Sequence, residues 1–438
     1  MKKGFVALLI GLAIIILVSP GIVGRLAEQS LDENLDWAAT ESQEVVVTSQ
    51  GFDRGWFSSE GQHRIELREG ELRNAFLALV GDIDSEELPV LIIDTRLDHG
   101  LVPLSSMARD KGSLRPGLGS AVSTLRLEFE GGDESDVPGT IYSEVGLTGN
   151  LSSNYILDAG SVNLHGETAN WGGTDILVTT NPGNGNIRFR GSIDSLLLTS
   201  SLEEVDVGKI VFSGNQQQSR FGFTVGDFGL DVQSIEIAGA AEPVSFGRFN
   251  LGIKSALDGD RASLQMSVRL DDMPFADLGS AGIAMDVKLI DVDGAAVGNI
   301  SDALDEMQRG GSQDDFMFVV QDDLQRLLAA GFELHFDRLD ASLPQGPVTS
   351  NMHISVAESD PDSLVWTSAL LATDATIELS LPAELVDLIT SIEPQFHAAI
   401  GMGFLKKNGD FYEMEATFEK GLLTVNGAPM PLPIPGLQ

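Results

Sequence analysis

The chain has 438 residues, with 27 lysines and arginines against 65 aspartates and glutamates, a net charge of −38 and no cysteine. So acidic a surface repels phosphate backbones, which argues against a nucleic-acid partner. The missing cysteine excludes disulfides, thiolate nucleophiles, cysteine-ligated metals and a lipoprotein anchor, and it suits an oxidising compartment.

Lys2 and Lys3 open the chain, and about twenty uncharged residues follow, up to Val23. As a helix that stretch spans roughly 30 Å, the thickness of a bilayer's hydrocarbon core. The lysines hold the N-terminus in the cytoplasm. The expectation is a single-pass protein of the bacterial inner membrane, residues 1–23 its anchor and the C-terminal domain in the periplasm. A cleaved signal peptide is the rival reading; the long apolar run and the lack of a clean small-residue cleavage site favour retention.

Residues 24–40 read as a juxtamembrane helix, with Leu31 and Leu35 on one face. From 41 to 293 the pattern is short alternating strands, including the stretches at 88–100, 124–130, 187–191, 209–214 and 264–270. Gly166, Gly191, Gly214 and Gly239 recur at steps near 24 residues, which suggests stacked hairpins with glycine at the strand ends. Alternation gives the sheet one apolar face.

Residues 294–427 mix helices with further strands. Val297, Ile300, Leu304 and Met307 fall at helical spacing, as do Phe316, Val320, Leu324, Leu327 and Leu328, with Gly310-Gly311 between the two helices. A third helix, flanked by Pro382 and Pro394, carries Leu385, Leu388, Ile389 and Ile392 on one side. Residues 428–438 form a proline-rich, extended tail. The fold class expected is α+β, mostly β: an N-terminal transmembrane helix, then an elongated antiparallel β-sheet meander with a few amphipathic helices packed on it. Those helices are expected to cover the sheet's apolar face.

No nucleophile elbow, zinc-protease, Walker or dinucleotide motif is present. The six histidines are scattered without ligand spacing. DVDG at 291–294 begins like a calcium loop, but the later ligands are missing, and a turn after a strand is the plainer reading. No catalytic residue, metal or cofactor is expected.

Two stretches are chemically dense. One holds Phe52, Arg54, Gly55, Phe57 and Ser58; the other holds Asp98, His99, Gly100 and Pro103. Turn chemistry with packed aromatics is the plain reading, and a local interaction site is the functional one. Together with the anchor and the closing Gly421–Met430 stretch, these residues resemble the YdgA-like family of bacterial inner-membrane and periplasmic proteins. That resemblance implies location and architecture, since the family has no established reaction.

Three functions follow. The first is binding a lipid or another envelope component on an extended β surface, by analogy with the groove proposed for AsmA-like proteins. The second is a scaffold or assembly partner for other envelope proteins. The third is an acid-pair hydrolase, for which no carboxylate pair stands out.

Overall fold

A computed structural model describes residues 45–54, 58–67, 88–99, 117–129, 134–146, 150–164, 167–181, 186–200, 203–239, 243–275, 279–308, 313–360, 366–393 and 396–430. The expected anchor, juxtamembrane helix and most of the proline-rich tail lie outside these residues. Among the described residues no helix is long and apolar enough to cross a membrane. The fold is mostly β with few helices. The chain divides into two compact units, one of residues 1–217 and 230–244, the other of residues 218–229 and 245–438.

The first unit contains an antiparallel meander. It runs β1 (Val45–Arg54), β2 (Ser58–Leu67), β3 (Val90–His99), β4 (Gly117–Glu128), β5 (Glu134–Gly146) and β6 (Leu151–Leu157). Each strand pairs with the next. β6 then pairs with β9 (Thr174–Asn181), β9 with β10 (Asn186–Ile193), and β10 with β13 (Ile210–Gln218). A second ladder joins β7 (Gly160–Leu164), β8 (Glu167–Trp171), β11 (Leu196–Thr199), β12 (Glu203–Val207) and β15 (Ile235–Gly239).

The chain steps between the two ladders at two-residue bends: Gly172-Gly173, Asp194-Ser195, Gly208-Lys209 and Gln233-Ser234. Backbone bonds bridge the bends, from Gly172 N–H to the Ser195 carbonyl (2.9 Å) and from Gly208 N–H to the Ser234 carbonyl (3.0 Å). A Cβ on Gly172 or Gly208 would lie within 2.8 Å of the facing serine Oγ, so glycine permits this close approach. Trp171, Ile193, Leu196, Val207, Ile210 and Val232 flank these bends and are buried, so part of the unit's core runs along them.

Of the four regularly spaced glycines, Gly239 ends β15 as expected, Gly166 lies outside the described residues, and Gly191 and Gly214 differ. Gly191 and Gly214 sit inside strands, each opposite a phenylalanine, Phe212 and Phe189 respectively. At Gly191 the missing side chain makes room for the Phe212 ring, whose centroid lies 6.4 Å from that of Phe189.

The second unit holds β17 (Phe249–Asp258), β18 (Arg261–Phe275), β19 (Gly279–Asp293), β20 (Phe332–Leu343), β21 (Gly346–Val356) and β22 (Thr373–Pro382), each paired antiparallel with the next. β22 pairs with β24 (Phe411–Glu419), which is followed by β25 (Leu422–Val425) and β26 (Ala428–Met430).

Its helices are α1 (Gly294–Gln308), α2 (Gln313–Ala330), α3 (Trp366–Leu371), α4 (Ala383–Ile392) and α5 (Phe396–Gly401). Asp293 Oδ1 accepts the Ala296 N–H (2.9 Å) and pairs with Arg326, so the DVDG stretch starts α1 as a cap. α1 buries its small residues, Ala296 and Ala303, while Leu304 of the expected apolar row is exposed. The reason is close approach: a Cβ on Gly298 would lie 2.3 Å from the Phe221 carbonyl oxygen. On α4, Val386 is buried and Ile392, expected on the inner side, is exposed.

Candidate functional site

Strand parity sorts the second unit's sheet into two faces. Val268 pairs with Met285 and Met266 with Val287, across β18 and β19. Met285 pairs with Leu339 and Val287 with Phe336, across β19 and β20. Phe336 pairs with Met352, and Met352 with Ile377. The row is apolar across all six strands, because Ile253 of β17 pairs with Met266. The opposite face carries Lys254, Gln265, Arg269, Lys288, Asn351 and Glu378.

Among the described residues, helices cover only the ends of the apolar face. At one end Leu381, Leu385, Val386 and Leu405 form a buried cluster, with Leu379, Tyr412 and Met414 of the face packed against it. At the other end Ala262 and Val292 are buried beside α1. Between them Leu251, Ile253, Met266, Val268, Met285, Val287, Leu289, Phe336 and Met352 are half-buried. Leu264 and Leu339 are 42% and 46% exposed.

The comparable face of the first unit behaves differently. There Ile65, Ile93, Leu125, Ile141, Tyr155 and Ile176 are all at most 6% exposed. The half-buried state in the second unit is therefore that of an uncovered sheet face. Six strands at about 4.8 Å and three side-chain rows at about 6.8 Å give an open patch of roughly 24 by 14 Å. That is the size of the largest apolar patch on an ordinary monomer, which is often functional. The expectation that helices would cover the sheet's apolar face holds at its two ends only.

The strand register brings the two chemically dense stretches together. Phe52 and Arg54 lie on β1, with Arg54 opposite Ser59 of β2; Ser58 pairs with Asp98 of β3, and His99 with Gly119 of β4. One end of the meander thus gathers Arg54, Ser58, Asp98 and His99. Gly55, Phe57, Gly100 and Pro103 lie outside the described residues.

Residues 1–433 match DUF945, a bacterial protein family of unknown function. The chain belongs to this family. No curated protein and no solved structure matches it. Membership in DUF945 therefore carries no reaction, and the chemistry has to be read from the faces themselves.

The acidic residues on the polar face of this DUF945 member are mostly partnered. Glu378 accepts from Asn351 (2.8 Å), Glu413 from Asn408 (2.9 Å) and Asp340 from Arg338 (2.6 Å). The first two are a cross-strand and a turn pair, which stabilise a sheet, and the third runs along β20. What the sequence pattern missed entirely is a meeting of His335 and His353. They face each other on β20 and β21 with ring centroids 4.0 Å apart.

Proposed function

We propose that this protein is a membrane-anchored envelope protein that holds the apolar part of a lipid on the open face of its second unit. The observation that carries this reading is the uncovered apolar row running from Ile253 through Met266, Val287 and Phe336 to Met352. Such a face offers contact to acyl chains without any catalytic group. The chain's net charge of −38 disfavours recognition of an anionic headgroup and leaves the tail as the recognised part. The uncharged run after Lys3 supplies the bilayer anchor, and the resemblance to YdgA-like proteins supports the same location, an inner membrane with the domain in the periplasm. Native mass spectrometry on residues 25–438, purified without detergent, tests the reading. Reproducible bound phospholipid is the expected result; protein that is always empty contradicts it.

A second reading, a scaffold for other envelope proteins, rests on a different surface. On α2, Met317, Phe318 and Val319 are exposed, Phe318 by 81%. An aromatic that open on a helix suits docking to a protein groove. Crosslinking from position 318 in whole cells distinguishes this reading: a discrete protein adduct supports it, and its absence removes it.

A further inference from the structure

Glu333, His335 and His353 bring three ligand atoms within 4.8 Å of one another, on the polar face of the second unit. Glu333 and His335 share that face because they are two residues apart on β20, and His353 lies directly opposite His335 on β21. The Glu333 carboxylate is 2.8 Å from His335 Nε2 and 3.9 Å from His353 Nε2. A tetrahedral zinc ion with bonds of about 2.0–2.1 Å holds its donors about 3.3 Å apart, between these two separations. His353 Nε2 is shielded from solvent and has no hydrogen-bond partner. A shielded ring nitrogen without a partner is costly, and where it carries no proton a metal ion would satisfy it. The other nitrogen of His335, Nδ1, stands 4.0 Å from the Asp337 carboxylate, beyond hydrogen-bond distance, and Asp337 pairs instead with Lys288.

We infer that Glu333, His335 and His353 form a binding site for a divalent first-row cation, zinc being the best fit to two imidazoles and one carboxylate. Three protein donors leave a fourth position for water, and Glu333 and His353 are partly open to solvent. The ion would clamp β20 to β21 across their shared polar face. The site stands apart from the lipid-binding proposal, because the side chains lie on opposite faces of the sheet.

Cobalt(II) titration of the purified full chain tests this. The expected result is one equivalent bound, with the intense visible absorption of a tetrahedral ion, displaced by one equivalent of zinc. His335→Ala and His353→Ala should each abolish the tetrahedral absorption and weaken binding at least tenfold, while His397→Ala, a remote control, leaves both unchanged. Circular dichroism establishes that the variants are folded, and His353→Gln serves if His353→Ala is not. No saturable cobalt binding, an octahedral spectrum, or affinity equal in the wild type and both histidine variants would overturn the inference; the last would show an adventitious ion only.

Discussion

The Asn426 N–H donates to the Glu415 carbonyl at 2.7 Å, and the Glu415 N–H donates back to the Asn426 side-chain oxygen at 2.9 Å. The same side chain donates through Nδ2 to the carbonyls of Gly403 (2.9 Å) and Phe404 (3.1 Å). Asn426 has φ 49° and Gly427 φ 79°, the conformation of a tight hairpin turn in which Asn-Gly is preferred. One residue of the closing Gly421–Met430 stretch thus ties the last hairpin to the loop after α5.

Asn426→Ala should lower unfolding stability by about 1–3 kcal/mol, since it leaves one N–H and two carbonyls without partners and places alanine at positive φ. Asn426→Asp, which keeps the acceptor, should lose less. Urea unfolding midpoints check both, and an Asn426→Ala midpoint equal to wild type contradicts the role assigned to the side chain.

A Cβ at Gly191 would lie 2.7 Å from Phe212 Cζ and 2.8 Å from Ile176 Cγ1. Gly191→Ala should therefore destabilise the first unit by about 1–3 kcal/mol through overpacking. In the double variant with Phe212→Ala the cost of the new methyl should fall but not vanish, since the clash with buried Ile176 remains. A double-mutant cycle with no coupling energy would show that the ring is not what the glycine accommodates.

His63 is 1% exposed, and burial holds its pKa below the ordinary 6.5, opposed only in part by the Asp94 charge. The unfolded chain therefore takes up a proton near pH 6.5 and the folded chain only at lower pH. Between those two values the unfolded state binds more protons, so this residue makes stability fall as pH drops below about 6.5. His63→Leu should flatten that part of the stability profile between pH 7.5 and 5.5. A slope identical to wild type in urea unfolding at the two pH values contradicts this.

The open face should separate stability from binding. Met285→Gln with Val287→Thr changes half-buried residues and should cost under about 1 kcal/mol. It should nevertheless reduce bound lipid several-fold. Leu385→Ala, in the buried cluster under α4, should cost about 2–5 kcal/mol. Equal stability losses in the two would mean that the face is covered.

Much of the sheet is legible in the sequence. The alternation of Leu264, Met266, Val268 and Leu270 already gives β18 its two faces, and α1, α2 and α4 stand where their apolar spacing puts them. The inward side is legible for Val320 on α2 and for Leu385 and Ile389 on α4, but not for α1, where it depends on approach: Gly298 against Phe221 admits only small neighbours. The bends at Gly172-Gly173 and Gly208-Lys209 look like ordinary turns in sequence, although the ladder bonds continue across them. The His335–His353 meeting is hidden for a different reason. A hairpin register fixes it, and a bulge between Phe336 and Ala341 shifts that register.

The central claim is that the open face of the second unit meets lipid. Site-specific photocrosslinking in whole cells tests it most directly, with a benzophenone side chain at position 287 on the apolar face or at position 288 on the polar face, after growth in labelled phosphate. The account predicts a phosphate-labelled lipid adduct from position 287 and none from position 288. Equal labelling from both positions, or only protein adducts from position 287, would contradict it.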